Sequence, residues 1–146
     1  MKNTNIFLIL AFVSIAVFTV VYSFDFEAQS GDKEFDKRLN EINKNALSNI
    51  SQFKRCILTT YHANESELSQ LLVELEPAEV LLTYEIADLT SLTHAEVLNV
   101  FMTNKHKGLQ KTLGILGIKH ESAQFQNLAK INYDTTIENN SVISRK

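Results

Sequence analysis

Residues 64–101 read NESELSQLLVELEPAEVLLTYEIADLTSLTHAEVLNVF, and their punctuation decides the fold. Asn64, with Glu67 three residues on, resembles a capping box, and Leu68, Leu71, Leu72 and Leu75 then recur at helical spacing. Pro77 suits the first turn of a second helix, where its missing N–H does no harm. Val80, Leu81, Tyr84 and Ala87 continue that helix. A true S/T-x-x-E box, Thr93 to Glu96, opens a third helix carrying Val97, Val100 and Phe101. No stretch of the chain alternates with period two for long enough to make a sheet. The spacing predicts an all-α protein.

Working outward, Phe35, Leu39, Ile42 and Ala46 form an apolar stripe upstream. Leu47, Ile50, Phe53, Ile57 and Tyr61 continue it on a slightly rotated face. Downstream, Gly108 is expected to stop the third helix as a left-handed cap. Leu109, Leu113 and Leu116 make a short helix closed by Gly117. Ser122 starts a last one with Phe125 and Leu128. The expected architecture is a small bundle of five or six mostly short helices over residues 35–130. Residues 25–34 (DFEAQSGDKE) read as a polar linker, and residues 131–146 as a flexible tail.

The amino end has a different character. Ile6 to Phe24 carries no charge; Lys2 precedes it, and Asp25 and Glu27 follow. A basic leader, an apolar stretch and an acidic exit match a secretory signal peptide, with Val21 and Ser23 acceptable before a cut at Phe24. They equally match a membrane anchor, because about 20 apolar residues span a bilayer. The charge asymmetry orients both the same way, with the helical domain outside the cytoplasm. A buried core helix is the remaining alternative, but such helices usually show a polar face, and this segment has none. The expected location is periplasmic or secreted, or else inner-membrane anchored with the domain outside.

Composition narrows the function classes. The 146 residues are 45% hydrophobic and 21% charged, with four Gly, one Pro and no Trp, which fits one globular domain. A single cysteine excludes an intrachain disulfide framework and a Cys-based zinc site. A formal net charge of −3 argues against nucleic-acid binding by bulk electrostatics.

The charges are segregated. Between Cys56 and Asn104 stand eight acids and no Lys or Arg; between Val97 and His120 stand Lys105, Lys107, Lys111 and Lys119 and no acid. One reading is an acidic helical pair that attracts a basic hairpin within the fold. The other is a candidate interaction patch formed by Lys105, Lys107, Gly108, Lys111, Gly117 and Lys119, which meets an anionic partner.

Little in the sequence points to catalysis. Cys56 lacks a base on its helical face and reads as a buried thiol, or as the source of an intermolecular disulfide in an exported protein. His62, His94, His106 and His120 show no i, i+3 or i+4 pairing of the kind that places two metal ligands on one helix. No phosphate-binding loop or carboxylate dyad is present, so no metal and no cofactor is expected. An enzyme would have to draw on the dispersed Cys56, His106 and His120. Leu109 to Leu128 also sketches a helix-turn-helix, but its second helix contains no Arg, and export would remove the DNA.

Residues 105–130, KHKGLQKTLGILGIKHESAQFQNLAK, resemble the carboxy-terminal signature of a family of small exported bacterial helical proteins of unknown function. That signature runs approximately K-G-W-G-x-x-A-K-x-L-G-I-K-P-G-S-x-x-F-x-x-L. Lys107 and Gly108 match its opening, Leu116 to Lys119 its centre, and Ser122, Phe125 and Leu128 its close. Upstream, Glu76 to Val80 resembles the family's Pro-containing helix, so the similarity covers about residues 44–130. Leu109 stands where the family has Trp, Gln110 where it has Gly, and His120 where it has Pro. The resemblance implies an exported helical domain and brings no reaction with it. The expectation is a non-catalytic protein-interaction module whose partner is a protein or an anionic envelope component. Nucleic acid is not expected, and membrane contact would run only through residues 6–24.

Overall fold

The computed structural model describes residues 27–131, and these contain helices and turns but no strand. Seven α-helices follow in order: α1 (Lys33–Ser48), α2 (Ile50–Thr60), α3 (Glu65–Glu74), α4 (Pro77–Leu89), α5 (His94–Asn104), α6 (Leu109–Ile115) and α7 (Ala123–Leu128). A 3₁₀ turn, Lys105–Lys107, joins α5 to α6. The expected signal or anchor segment and the tail beyond Ile131 lie outside the described residues.

The seven helices exceed the expected five or six because Asn49 splits the upstream stripe. Its N–H bonds back to the carbonyls of Asn45 and Ala46, while its Oδ1 accepts from Gln52 N–H at 3.2 Å. One residue thus ends α1 and caps α2. Leu47 lies within α1, off its buried Leu39–Ile42–Ala46 face, and is 63% exposed, while Ile50 opens α2 and is 37% exposed; the spacing implied that both were buried.

The other helix starts follow local chemistry. Asn64 Oδ1 accepts from Ser66 and Glu67 N–H, Thr93 and Glu96 cap each other reciprocally, and Ser122 Oγ accepts from Phe125 N–H. Pro77 occupies the first turn of α4. There Asn43 of α1 adds a cap from across the fold, its Oδ1 accepting from Ala78 N–H at 2.7 Å.

Helix α4 is the central element. It packs on α1, α3, α5 and α7, and nine of its residues from Pro77 to Ile86 are buried. A helix apolar nearly all round belongs in the middle of a bundle. The largest fully buried side chains around it include Phe35, Leu39, Phe53, Leu68, Phe101 and Phe125. Leu→Ala at such positions costs about 2–5 kcal/mol.

Residues 27–32 differ from the polar linker that composition implied. Ala28 and Ser30 are buried, and the carbonyls of Ala28 and Gln29 accept from the N–H groups of Leu109 and Gln110 at 2.8 and 3.0 Å. Asp32 then caps α1 through Glu34 and Phe35 N–H. The physical reason is that the first N–H groups of a helix need acceptors, and here an adjacent segment supplies them to α6.

Candidate functional site

Two corners of the bundle collect polar side chains. The first surrounds the start of α6. Gly108 does not end α5 in the left-handed conformation; it holds φ 86°, ψ 154° as the N-cap of α6, a region open almost only to glycine. A Cβ there would sit 2.8 Å from Gln29 Oε1, so the docked segment also excludes a side chain. At the other end of α6, Gly117 (φ 81°) does close the helix as expected. Ile118 N–H bonds to Leu113 O at 2.9 Å and Gly117 N–H to Gly114 O at 3.2 Å, a Schellman motif with Ile118 and Leu113 both buried.

Gly31 ties the two ends of the basic hairpin together. A Cβ on it would lie 3.0 Å from Gln110 Nε2 and 3.3 Å from His120 Cδ2. Gln110 and His120 therefore flank the docked segment, with Lys111 and Lys119 next to them in the chain. His120 also rests on Phe125, ring centroids 4.7 Å apart, and Phe125 meets Phe35 edge-on at 5.7 Å.

The four lysines of the sequence-derived patch are exposed but not equivalent. Lys105 Nζ donates to the Glu74 carbonyl at the end of α3, a favourable place for a cation. It also lines a cavity of about 30 Å³ with Glu79, Phe101, Leu109 and Thr112, room for about one water. Burial raises the Glu79 carboxyl above the usual range, opposed by the Glu76 N–H and by Lys105. Lys107 Nζ donates to Asn104 Oδ1 at 2.8 Å. Among the described residues Lys111 and Lys119 make no such side-chain bond, and no Lys or Arg lies within 4.0 Å of a carboxylate. The acidic helices and the basic hairpin thus do not neutralise each other by direct pairs.

The second corner was not legible as a site. Tyr61, Tyr84 and His94 stack in series, with centroids 5.0 and 3.8 Å apart. Tyr61 OH donates to Glu85 Oε1, and its pKa is raised far above the usual phenol value, by burial first and by Glu85 second. His94 Nε2 lies 3.0 Å from Thr83 Oγ1 and its Nδ1 lies 3.8 Å from Glu67 Oε1. On positions alone this looks like a hydroxyl–imidazole–carboxylate relay.

The protons run the wrong way for that chemistry. Thr83 Oγ1 donates to the Val80 carbonyl at 2.7 Å, so the hydroxyl accepts from His94 Nε2–H. The imidazole is then no base toward this hydroxyl, and Thr83 is fully buried. Burial lowers the His94 pKa, with Glu67 opposing. Through these contacts His94 of α5 packs on Thr83 and Tyr84 of α4 and faces Glu67 of α3. The cluster's signal in the sequence was limited to His94 inside a capping box.

The remaining sequence candidates are scattered. Cys56 is buried in the core of α2, 3.9 Å from Thr60 Oγ1, so a disulfide to another chain would require that helix to open locally. Nothing in the described contacts brings Cys56, His106 and His120 together. No group of three or more His, Cys, Asp or Glu among the described residues could hold a metal ion. The connection between α6 and α7 runs over residues 116–122, longer than the three- or four-residue turn of a helix-turn-helix, and α7 has only six residues. No helix among the described residues is long and apolar enough to cross a membrane.

Comparison of the chain with family models, with curated proteins and with solved structures gives no match.

Proposed function

We propose that this chain is an exported, non-catalytic helical domain that binds an anionic group of an envelope partner through its basic corner. Lys107, Lys111 and Lys119 are the contact residues, and Gly108 and Gly117 set the backbone that carries them. The observation behind this reading is that these ammonium groups stay exposed and unpaired with acids among the described residues, on a framework held at both ends of α6. Lys105 is reassigned from contact to support, because the Glu74 carbonyl already holds it.

Export is supported by Lys2, the uncharged run 6–24 and the acidic residues after it. The resemblance over residues 44–130 to small exported helical proteins points the same way. Within the resemblance, Leu109 takes the family's Trp position and is 7% exposed, which favours a core role for that position in this chain.

The test is crosslinking of the full chain in spheroplasts at rising salt, read as the yield of the partner crosslink and not as retention in the envelope. Association through lysines weakens steeply as the screening length falls from about 10 Å at 0.1 M to 3 Å at 1 M. Association indifferent to salt would contradict the proposal.

A further inference from the structure

The chain enters its fold at the basic corner. Ala28 and Gln29 are hydrogen-bonded to Leu109 and Gln110, and Gly31 lies against Gln110 and His120. Lys107 and Lys111 flank the two residues that hold this segment, and Lys119 adjoins His120. Phe24, the last residue of the uncharged run, stands four residues before Ala28. At about 3.6 Å per extended residue, its Cα lies within roughly 14 Å of that of Ala28. A bilayer holding residues 6–24 is therefore tethered beside this corner, and the far end of α1 is the end away from the docked segment. Lys44 there is about 16 Å along the helix from Lys33, at 1.5 Å per residue.

We infer that the basic corner docks on anionic lipid headgroups of the membrane that holds residues 6–24. The inference rests on the basic corner being the binding surface, and on the apolar segment remaining attached. Two features fit a lipid surface. The contact groups are three compact ammonium charges on one corner, suited to phosphodiesters as point charges rather than to a shaped pocket. The tether supplies a high effective concentration, so a weak surface attraction suffices. Each lysine brought to an anionic surface strengthens association about five-fold. Glu27 and Glu121 oppose it at this corner, as do Asp32, which adjoins Gly31, and Asp36, which accepts from Ser30 N–H. Lys105 lines the small cavity with Glu27 and adds nothing to the docking charge.

The full chain is reconstituted in vesicles of phosphatidylcholine alone or mixed with phosphatidylglycerol, and acetylation of each lysine is followed by mass spectrometry. The expected result is several-fold slower acetylation of Lys107, Lys111 and Lys119 with phosphatidylglycerol, reversed by 1 M salt, where screening shortens to about 3 Å. Lys44 should react alike in both. Equal rates at the corner in both vesicles, or equal slowing at Lys44, overturn the inference, as does a chain that carbonate extracts from the bilayer. If the corner is unprotected by lipid while K107Q/K111Q/K119Q still abolishes a protein crosslink in cells, only the lipid assignment falls. If that crosslink also survives, the basic-corner reading falls with it.

Discussion

The basic corner and the aromatic corner invert what their residue types advertise. Tyr61, Thr83, Tyr84, Glu67 and His94 are the side chains from which active sites are made, yet Tyr61 OH is held by Glu85, Thr83 by the Val80 carbonyl and His94, and the Tyr84 ring is stacked between Tyr61 and His94. Lys107, Lys111 and Lys119 look like ordinary surface charge, yet they stand near Gly108 and Gly117, whose positive φ values fix the two ends of α6. Residue identity alone is therefore a poor guide to how a corner is bonded. The direction of each proton and the conformation of the backbone distinguish the two.

The largest expected effect breaks the basic corner. Gly108→Ala forces a side chain into φ 86°, ψ 154° and against Gln29. It should cost about 1–3 kcal/mol in urea unfolding. Because residues 28–29 would undock, amide exchange at Leu109 and Gln110 should accelerate more than at Leu81 in α4. Uniform acceleration would mean that the docked segment is not a separate structural feature.

The next test sharpens the aromatic corner by setting its two tyrosines against each other. Tyr61→Phe removes a hydrogen bond to a carboxylate and should cost about 1–2 kcal/mol. Among the described residues Tyr84 OH is buried without a hydrogen-bond partner, so Tyr84→Phe should be near neutral or slightly stabilising. Equal losses in the two would show that Tyr84 OH has a partner in solution.

A smaller effect follows from His94. Its folded pKa lies below the usual 6.5, chiefly through burial, so the unfolded chain binds the proton more readily. Its contribution is full above pH 6.5 and is lost as pH falls through the folded value. Relative to His94→Asn, the wild type should lose unfolding temperature as the pH is lowered from 7.5 to 5. The opposite slope would mean that Glu67 captures a charged imidazole strongly enough to outweigh burial.

What the sequence made legible was local. Asn64, Thr93 and Ser122 cap helices through neighbours two or three residues away, Pro77 fixes its own φ, and Gly117 closes α6 by bonds within six residues. What it hid was long-range. Glu79 reads as one more surface acid but is buried by the fold. Residues 28–31 read as linker because their contacts lie about eighty residues away, although Ala28 and the cap at Asp32 were signals. The lysines were visible as a cluster, but only the structure separates Lys105, held by the Glu74 carbonyl, from Lys111 and Lys119. The Tyr61–Tyr84–His94 stack draws on three elements, and no spacing rule joins them.

The most direct test of the account compares two variants of the full chain, measuring unfolding free energy and in-cell crosslinking in each. K107Q/K111Q/K119Q should stay within about 0.5 kcal/mol of wild type and lose the crosslink. Tyr61→Phe with His94→Asn should lose about 1–3 kcal/mol and keep it. A lysine variant that keeps its crosslink, or a folded aromatic-corner variant that loses it, would contradict the assignment of partner binding to the basic corner.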